Sequence, residues 1–253
     1  MNRVLSRSLK FFIACLQAVF LLFLLTDPSS AEDGVSEGKK VYEKYCIGCH
    51  GKKGDGNGTA ARDLNIKPRN FTLGIFKFKS TPQGSLPTDD DLKKVISSGL
   101  PTSSMPNFKL MPDDEKEKVI AYIKSLSDKW KKGKPERRFA EVVVPDFVGT
   151  ADSVKKGEKL YTEICLVCHG EKGGKPEPTF LLRWNGEESR DLTRPANFNY
   201  RVIKRGPKVE DIYLSLTAGV EGTPMLSFAD LLSDNDRWHL TSYILNLMGK
   251  DRR

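Results

Sequence analysis

The chain has 253 residues, of which 38% are hydrophobic and 29% are charged, and its formal net charge is +8. This is the composition of a globular protein, and it excludes a collagen-like, a disordered and a multi-spanning membrane chain. The length is sufficient for two domains of ordinary size. The excess of positive charge favours acidic partners or anionic membrane surfaces.

The N-terminal segment, residues 1–31, differs from the rest of the chain. Three basic residues stand within its first ten positions, and they are followed by the 15-residue apolar run Phe11–Leu25 and by small residues at 29–31. This order predicts a secretory signal peptide and therefore a periplasmic protein. The alternative is an uncleaved membrane anchor over residues 9–26, because a membrane span needs about 20 apolar residues. Three basic residues and Asp27 give the segment a charge of +2, so its removal leaves 8 − 2 = +6.

The motif C-x-x-C-H occurs twice, as Cys46, Cys49 and His50 and as Cys165, Cys168 and His169. It is the signature of covalent haem c attachment, in which the thiols add to the porphyrin vinyl groups and the imidazole binds the iron as proximal ligand. A zinc site would need four ligands around one ion and would not explain a histidine directly after each cysteine pair. These four cysteines are the only ones after residue 31, so we predict two haem c groups and no disulfide.

The two halves of the chain align beyond these motifs. Gly38 to Tyr42 corresponds to Gly157 to Tyr161, and Pro68 to Phe71 corresponds to Pro195 to Phe198. The offset changes from 119 at the cysteines to 127 at the proline, which indicates an insertion after His169. We therefore predict one duplicated fold. The predicted domains are residues 32–130 and 151–253, joined by a linker at 131–150 that is rich in charge and proline.

The predicted elements of each half are a helix, a long loop, a second helix, a loop and a third helix, so the fold class is all-α. Ser36 and Ser153 are the predicted N-caps of the helices that lead into the cysteine motifs. Thr88 opens the middle helix of the first half and Gly99 ends it. Ser233 opens the last helix of the second half, with Asp236 three residues later. Each fold is expected to wrap around one haem, so loss of haem should unfold it.

The sixth iron ligand decides whether a haem transfers electrons or binds an external ligand. The chain has three histidines and two are proximal, so at least one haem needs a different ligand. Met105 follows His50 at nearly the same spacing as Met225 follows His169. These equivalent positions predict both methionines as axial ligands, and a thioether ligand raises the reduction potential.

Two other residues are possible ligands. Met111 is a rival of Met105, but it has no counterpart in the second half. His239 is the remaining imidazole and could replace Met225, although such a residue is more often a packing histidine.

With these motifs, the chain without its leader resembles a dihaem c-type cytochrome made of two class I cytochrome c domains. The resemblance implies that the first helix crosses the last in each half, bringing together one tyrosine from each: Tyr42 with Tyr122, and Tyr161 with Tyr243. It also implies that a backbone carbonyl from a proline-containing loop, at Pro68 or Pro195, binds the proximal imidazole. The segment Phe76–Pro82 resembles one found in single cytochrome c domains that accompany respiratory oxidoreductases.

The predicted function is a periplasmic electron carrier or relay between a respiratory donor and a terminal oxidoreductase, not an enzyme. The alternatives are a dihaem peroxidase or thiosulfate-type oxidoreductase with one labile axial ligand, and a membrane-anchored subunit of an oxidase or dehydrogenase complex. The expected partners are redox proteins with acidic docking surfaces, with a membrane respiratory complex as the alternative, and no nucleic acid. The candidate docking lysines are Lys52, Lys53, Lys77, Lys79, Lys172 and Lys175.

Overall fold

The computed structural model describes residues 29–133, 139, 141–174, 180–184, 187–193, 195–206 and 208–249. The predicted signal peptide lies outside the described residues except for its last three positions, and so does part of the predicted linker. Within the described ranges, no helix has the length and the apolar character needed to cross a membrane.

The first half consists of helices joined by long loops. Its helices are α1 Ser29–Tyr45, α2 Ile47–His50, α3 Asp89–Ser98, α4 Asp113–Ser125 and α5 Asp128–Lys132, with one 3₁₀ turn at Ala61–Asp63. The predicted cap of α3 is confirmed. The Thr88 hydroxyl accepts a hydrogen bond from the Asp91 amide at 3.2 Å, the Asp91 carboxylate accepts one from the Thr88 amide at 3.0 Å, and Gly99 ends the helix with a φ of +65°.

The second half repeats this order. Its helices are α6 Ala151–Leu160, α7 Leu166–His169, α8 Val209–Ala218 and α9 Asp234–Leu247, with a π-helical turn at Tyr161–Cys165 and 3₁₀ turns at Glu171–Gly173 and Phe198–Tyr200. The predicted insertion contains the antiparallel hairpin β1 Phe180–Trp184 and β2 Glu187–Thr193. Both domains are all-α as predicted, and the hairpin is an addition that the sequence pattern did not predict. The domain boundaries at 32–130 and 151–253 stay predictions.

Two predicted N-caps are wrong. Ser36 lies inside α1, because nothing between 29 and 36 except Gly34 opposes a helix. In the second half the cap is Thr150, whose hydroxyl accepts a hydrogen bond from the Ser153 amide at 3.3 Å. The cap at Ser233 is confirmed by its 3.1 Å hydrogen bond from the Asp236 amide.

In each half the first helix crosses a long C-terminal helix at a glycine, α1 crossing α4 and α6 crossing α9. A Cβ atom on Gly38 of α1 would lie 1.9 Å from the Lys118 carbonyl oxygen on α4. A Cβ atom on Gly157 of α6 would lie 1.9 Å from the His239 carbonyl oxygen on α9. Only glycine permits the two backbones to approach this closely. The two crossings therefore have the same geometry and the same sequence requirement.

Each half has its own hydrophobic core around this crossing. The implied tyrosine pairs are present, with ring centroids 5.0 Å apart for Tyr42 and Tyr122 and 5.1 Å apart for Tyr161 and Tyr243. Other buried members are Phe71, Phe76, Leu92, Val119 and Ile120 in the first core, and Phe198, Ile212, Trp238, Leu240 and Ile244 in the second. The two cores are therefore built from equivalent helices and equivalent aromatic residues.

Candidate haem centres

The cysteine motif of each half lies on one helical turn. The His50 amide donates a hydrogen bond to the Cys46 carbonyl at 2.9 Å, and α2 carries Cys49 and His50. Residues at positions i, i+3 and i+4 share one face of a helix, so the two thiols and the imidazole face the same side. The second motif has the same arrangement on α7. The four thiols are free, and burial raises the pKa of the Cys46 and Cys165 thiols to about 11.

The proximal histidines are oriented by backbone carbonyls. The Nδ1 atom of His50 lies 3.0 Å from the Arg69 carbonyl oxygen, and that of His169 lies 3.2 Å from the Ala196 carbonyl oxygen. In each half this carbonyl belongs to the residue after the predicted loop proline, as the resemblance implied. Burial lowers the pKa of both imidazoles. Each ring therefore donates its Nδ1 proton to the carbonyl and keeps Nε2 as a free lone pair for a metal.

A phenylalanine covers each proximal imidazole. The Phe71 ring stacks on His50 with centroids 4.4 Å apart, and the Phe198 ring stacks on His169 at 5.1 Å. In the sequence, Phe71 and Phe198 were used only to align the two halves, and their stacking on the histidines was not predicted. The signal was present, since the phenylalanine stands three residues after the loop proline in both halves.

A buried tyrosine closes the loop after each histidine. The Tyr42 hydroxyl donates to the Gly51 carbonyl at 2.7 Å, and the Tyr161 hydroxyl donates to the Gly170 carbonyl at 2.9 Å. Both glycines have a positive φ, +80° and +72°, so the chain turns sharply directly after the histidine. The tyrosine thus connects the first helix to the turn behind the imidazole.

Met105 lies in a tight turn between α3 and α4. The Leu100 amide donates to the Met105 carbonyl at 3.1 Å, and the Met105 amide donates to the Ser103 hydroxyl at 3.2 Å. The Phe108 ring, three residues further on, lies 5.9 Å from the Tyr45 ring. Since Tyr45 directly precedes Cys46, this contact brings the methionine turn close to the haem attachment segment.

The turn around Met225 has the same hydrogen bonds. The Val220 amide donates to the Met225 carbonyl at 3.0 Å, and the Met225 amide donates to the Thr223 hydroxyl at 3.1 Å. Met225 itself is partly buried against the second core, together with Ile164 and Phe228. The two methionines are therefore presented by equivalent turns.

The other two possible ligands pack against neighbouring side chains. Met111 is buried in the first hydrophobic core with only 9% of its surface exposed. His239 lies at the crossing of α6 and α9, where its Nδ1 atom is 2.9 Å from the Ser153 hydroxyl and its ring packs on Phe147. For His239 this is the packing role that the sequence offered as the alternative to ligation.

The residues of each half fit a haem c group. Each offers two free thiols, an imidazole with a free Nε2 and a thioether in a preformed turn. Among the described residues, the buried donors that lack a hydrogen-bond partner include Trp130 Nε1 in the first half and Arg205 Nη2 in the second. Buried donors normally have acceptors, and the propionate carboxylates of a haem are acceptors of the required kind.

The candidate docking lysines differ in their exposure. Lys52, Lys53 and Lys172 are exposed. Lys79 is wrongly placed in this set, because its side chain is 1% exposed and forms an ion pair with Glu221. Lys175 lies outside the described residues.

The attachment turns, the carbonyl-bound imidazoles and the two equivalent helical cores define a c-type cytochrome with two tandem domains of the class I type. The family model for cytochrome c oxidase, cbb3-type, subunit III matches residues 33–123 and 152–244. The chain therefore belongs to this cytochrome c family, whose domains imply covalently bound haem c.

A solved structure shares both sequence and fold with this chain. It is the reducing HAO-like protein complex Kustc0457/Kustc0458 of Kuenenia stuttgartiensis, with 38% identity and a TM-score of 0.74. The match covers 83% of this chain and 95% of that chain. No curated protein was found to match.

Proposed function

We propose that this protein is a periplasmic electron carrier or relay with two haem c groups, each iron being bound by histidine and methionine. The observation that carries the proposal is the duplication of the whole ligand arrangement. Both halves place a carbonyl-bound imidazole after a cysteine pair and a methionine in the same hydrogen-bonded turn. Two sites kept in the same form favour two closed haems over one catalytic and one supporting haem.

When bound, each haem c would supply a one-electron couple between ferric and ferrous iron. The chain would hold it by Cys46, Cys49, His50 and Met105 in the first half, and by Cys165, Cys168, His169 and Met225 in the second. The carbonyl on Nδ1 keeps the proximal imidazole in one tautomer and orientation and increases its basicity. The methionine thioether favours the ferrous state, and the stacked phenylalanine excludes water from the imidazole. The protein thus tunes and insulates the couple.

The proposed partners are redox proteins with acidic docking surfaces. Lys52 and Lys53 follow His50 closely and are exposed, as is Lys172 shortly after His169. Such lysines near a haem attachment site would accelerate association with an acidic partner at low salt. The similar solved structure is a complex of two proteins. This similarity supports a second form of the same function, in which the cytochrome is a permanent subunit of a redox complex.

The ligation can be tested by carbon monoxide titration of the purified, reduced protein. The wild type should contain two haems and bind no carbon monoxide, since methionine closes both irons. Met105→Ala and Met225→Ala should each bind one equivalent, and the double variant should bind two. Met111→Leu is the matched control and should bind none. Stoichiometric binding by the wild type would refute closed ligation at one haem, and peroxide turnover would then test the catalytic alternative.

A further inference from the structure

The methionine turn of the second domain is bound by a residue of the first domain. Glu221 lies in this turn, four residues before Met225, and forms an ion pair with Lys79. Its carboxylate also accepts a hydrogen bond from the Gly84 amide at 3.3 Å. The Lys79 and Glu221 side chains are only 1% and 11% exposed. This ion pair is therefore buried between the domains.

The Lys79 ammonium group has a complete set of partners. Besides Glu221, it donates to the Pro82 carbonyl at 2.7 Å and to the Ser85 carbonyl. An ammonium group has three N–H donors, and all three are used here. Burial lowers the pKa of Lys79 and the Glu221 carboxylate opposes this effect. Loss of either charge would leave the other buried without its partner, which proteins avoid.

The first domain provides an internal comparison. Its methionine turn has the same hydrogen bonds, but the residue equivalent to Glu221 is Pro101, at the offset of 120 that relates Met225 to Met105. Pro101 is exposed and has no charged group. The cross-domain ion pair is thus a feature of the second methionine turn and not of the shared fold.

Two more contacts join the domains around this turn. The Ser227 amide, two residues after Met225, donates to the Gln83 side chain at 3.4 Å. The Arg205 guanidinium donates to the backbone carbonyl of Lys79 at 2.9 Å. The first domain therefore contacts the turn both before and after its methionine.

We propose that Lys79 is a positioning residue for the axial ligand of the second haem. Acting through Glu221, it holds the turn that presents Met225, so closure of the second iron depends on docking of the first domain. Closure of the first iron has no such dependence. This inference rests on the proposed function, since it requires that Met225 binds iron.

The test measures carbon monoxide binding by the reduced full-length protein that carries both haems. Glu221→Gln and Lys79→Met should each raise the stoichiometry of gas binding from none in the wild type towards one equivalent. Lys79→Arg retains the charge and should behave more like the wild type. The matched controls are Glu37→Gln and Lys40→Met, which remove an exposed ion pair of 2.7 Å in the first domain and should change nothing.

Combination with methionine variants identifies the affected haem. With Met105→Ala already opening the first haem, Glu221→Gln should raise the stoichiometry from one equivalent to two. With Met225→Ala, it should remain at one. A general loosening of the fold would not distinguish the two haems. The charge-transfer absorption of the ferric iron bound to a thioether gives a second readout, and Glu221→Gln should weaken it by up to half.

Several outcomes would overturn the proposal. Unchanged gas binding in Glu221→Gln would show that the ion pair does not position Met225, and two equivalents in the Met225→Ala background would show a general loosening. If Glu221→Gln does not fold, Glu221→Asp retains the charge with a shorter reach and must still open the second haem, and only the second, to the gas. A wild type that already binds the gas at the second haem would instead contradict the proposed function.

Discussion

Replacement of Gly38 by alanine should destabilise the first domain. Gly38 lies where α1 crosses α4, and its new Cβ would stand 1.9 Å from the Lys118 carbonyl oxygen. Ordinary van der Waals contact begins at 3.4 Å, so the helices must move apart until this distance has risen from 1.9 Å to 3.4 Å. The neighbouring atom belongs to the backbone of a helix and cannot rotate away. The strain must therefore open the crossing at which Tyr42 packs on Tyr122.

Two opposing effects determine the change in the free energy of unfolding. Overpacking of a tight contact costs about 3 kcal/mol when the neighbour cannot move. Alanine gains about 1 kcal/mol over glycine inside a helix. The net loss is therefore about 2 kcal/mol, which lowers the midpoint of thermal unfolding by roughly 10 °C for a domain of this size.

Gly34→Ala is the matched control on the same helix. A Cβ atom at Gly34 meets nothing within 4 Å, so the same substitution should stabilise by up to about 1 kcal/mol. The assay is thermal unfolding of the protein with its haems, followed by circular dichroism and haem absorption. Gly157→Ala should act on the second domain as Gly38→Ala acts on the first. Equal effects of Gly34→Ala and Gly38→Ala would refute the close helix crossing.

The remaining predictions concern the buried hydroxyl groups and the third histidine. Tyr42→Phe and Tyr161→Phe each remove a hydrogen bond to a glycine carbonyl and should cost about 1 kcal/mol at neutral pH. Burial raises the pKa of both phenols above the value in the unfolded chain. Since the phenols of the unfolded chain ionise first, the native protein should lose stability as the pH rises above about 10. Each phenylalanine variant should reduce this loss, as measured by denaturant titrations at alkaline pH. Ser153→Ala removes the contacts to His239 and Ser242 and should lower the free energy of unfolding by about 1 to 2 kcal/mol. The loss would be measured as a lower urea midpoint, and neither haem should open to carbon monoxide. His239→Gln should also leave both haems closed, and gas binding at the second haem would instead identify His239 as its ligand.

The sequence predicted the parts of the site that depend on local spacing. Each cysteine motif was expected on a helical turn, because its spacing then places the two thiols and the imidazole on one face of the helix. The carbonyl behind each imidazole was instead implied by the family resemblance at Pro68 and Pro195. The cysteine motifs and the cap at Thr88, a hydroxyl followed by acids in the first helical turn, needed no resemblance. Such features are encoded within a few residues, so a single sequence is sufficient to find them.

The contacts between distant segments were not predictable in the same way. Lys79 was placed among the docking lysines because lysine is usually exposed. Its actual partner, Glu221, lies in the other half of the chain, and no local pattern connects the two. The cap at Ser153 failed for a related reason, since this serine is buried against α9 while Thr150 starts the helix.

The duplication separates what the haem fold requires from what this protein adds. The glycine crossing, the tyrosine hydroxyl, the stacked phenylalanine and the methionine turn occur in both halves, so each is a requirement of one domain around one haem. The ion pair between Lys79 and Glu221 has no equivalent in the first methionine turn and joins the halves instead. The proposed relay with two haems would need a fixed arrangement of its domains, which a chain of independent domains would not provide. The buried ion pair, together with the other contacts between the halves such as Lys94 with Asp211, would therefore let the two domains act as one unit in the proposed relay.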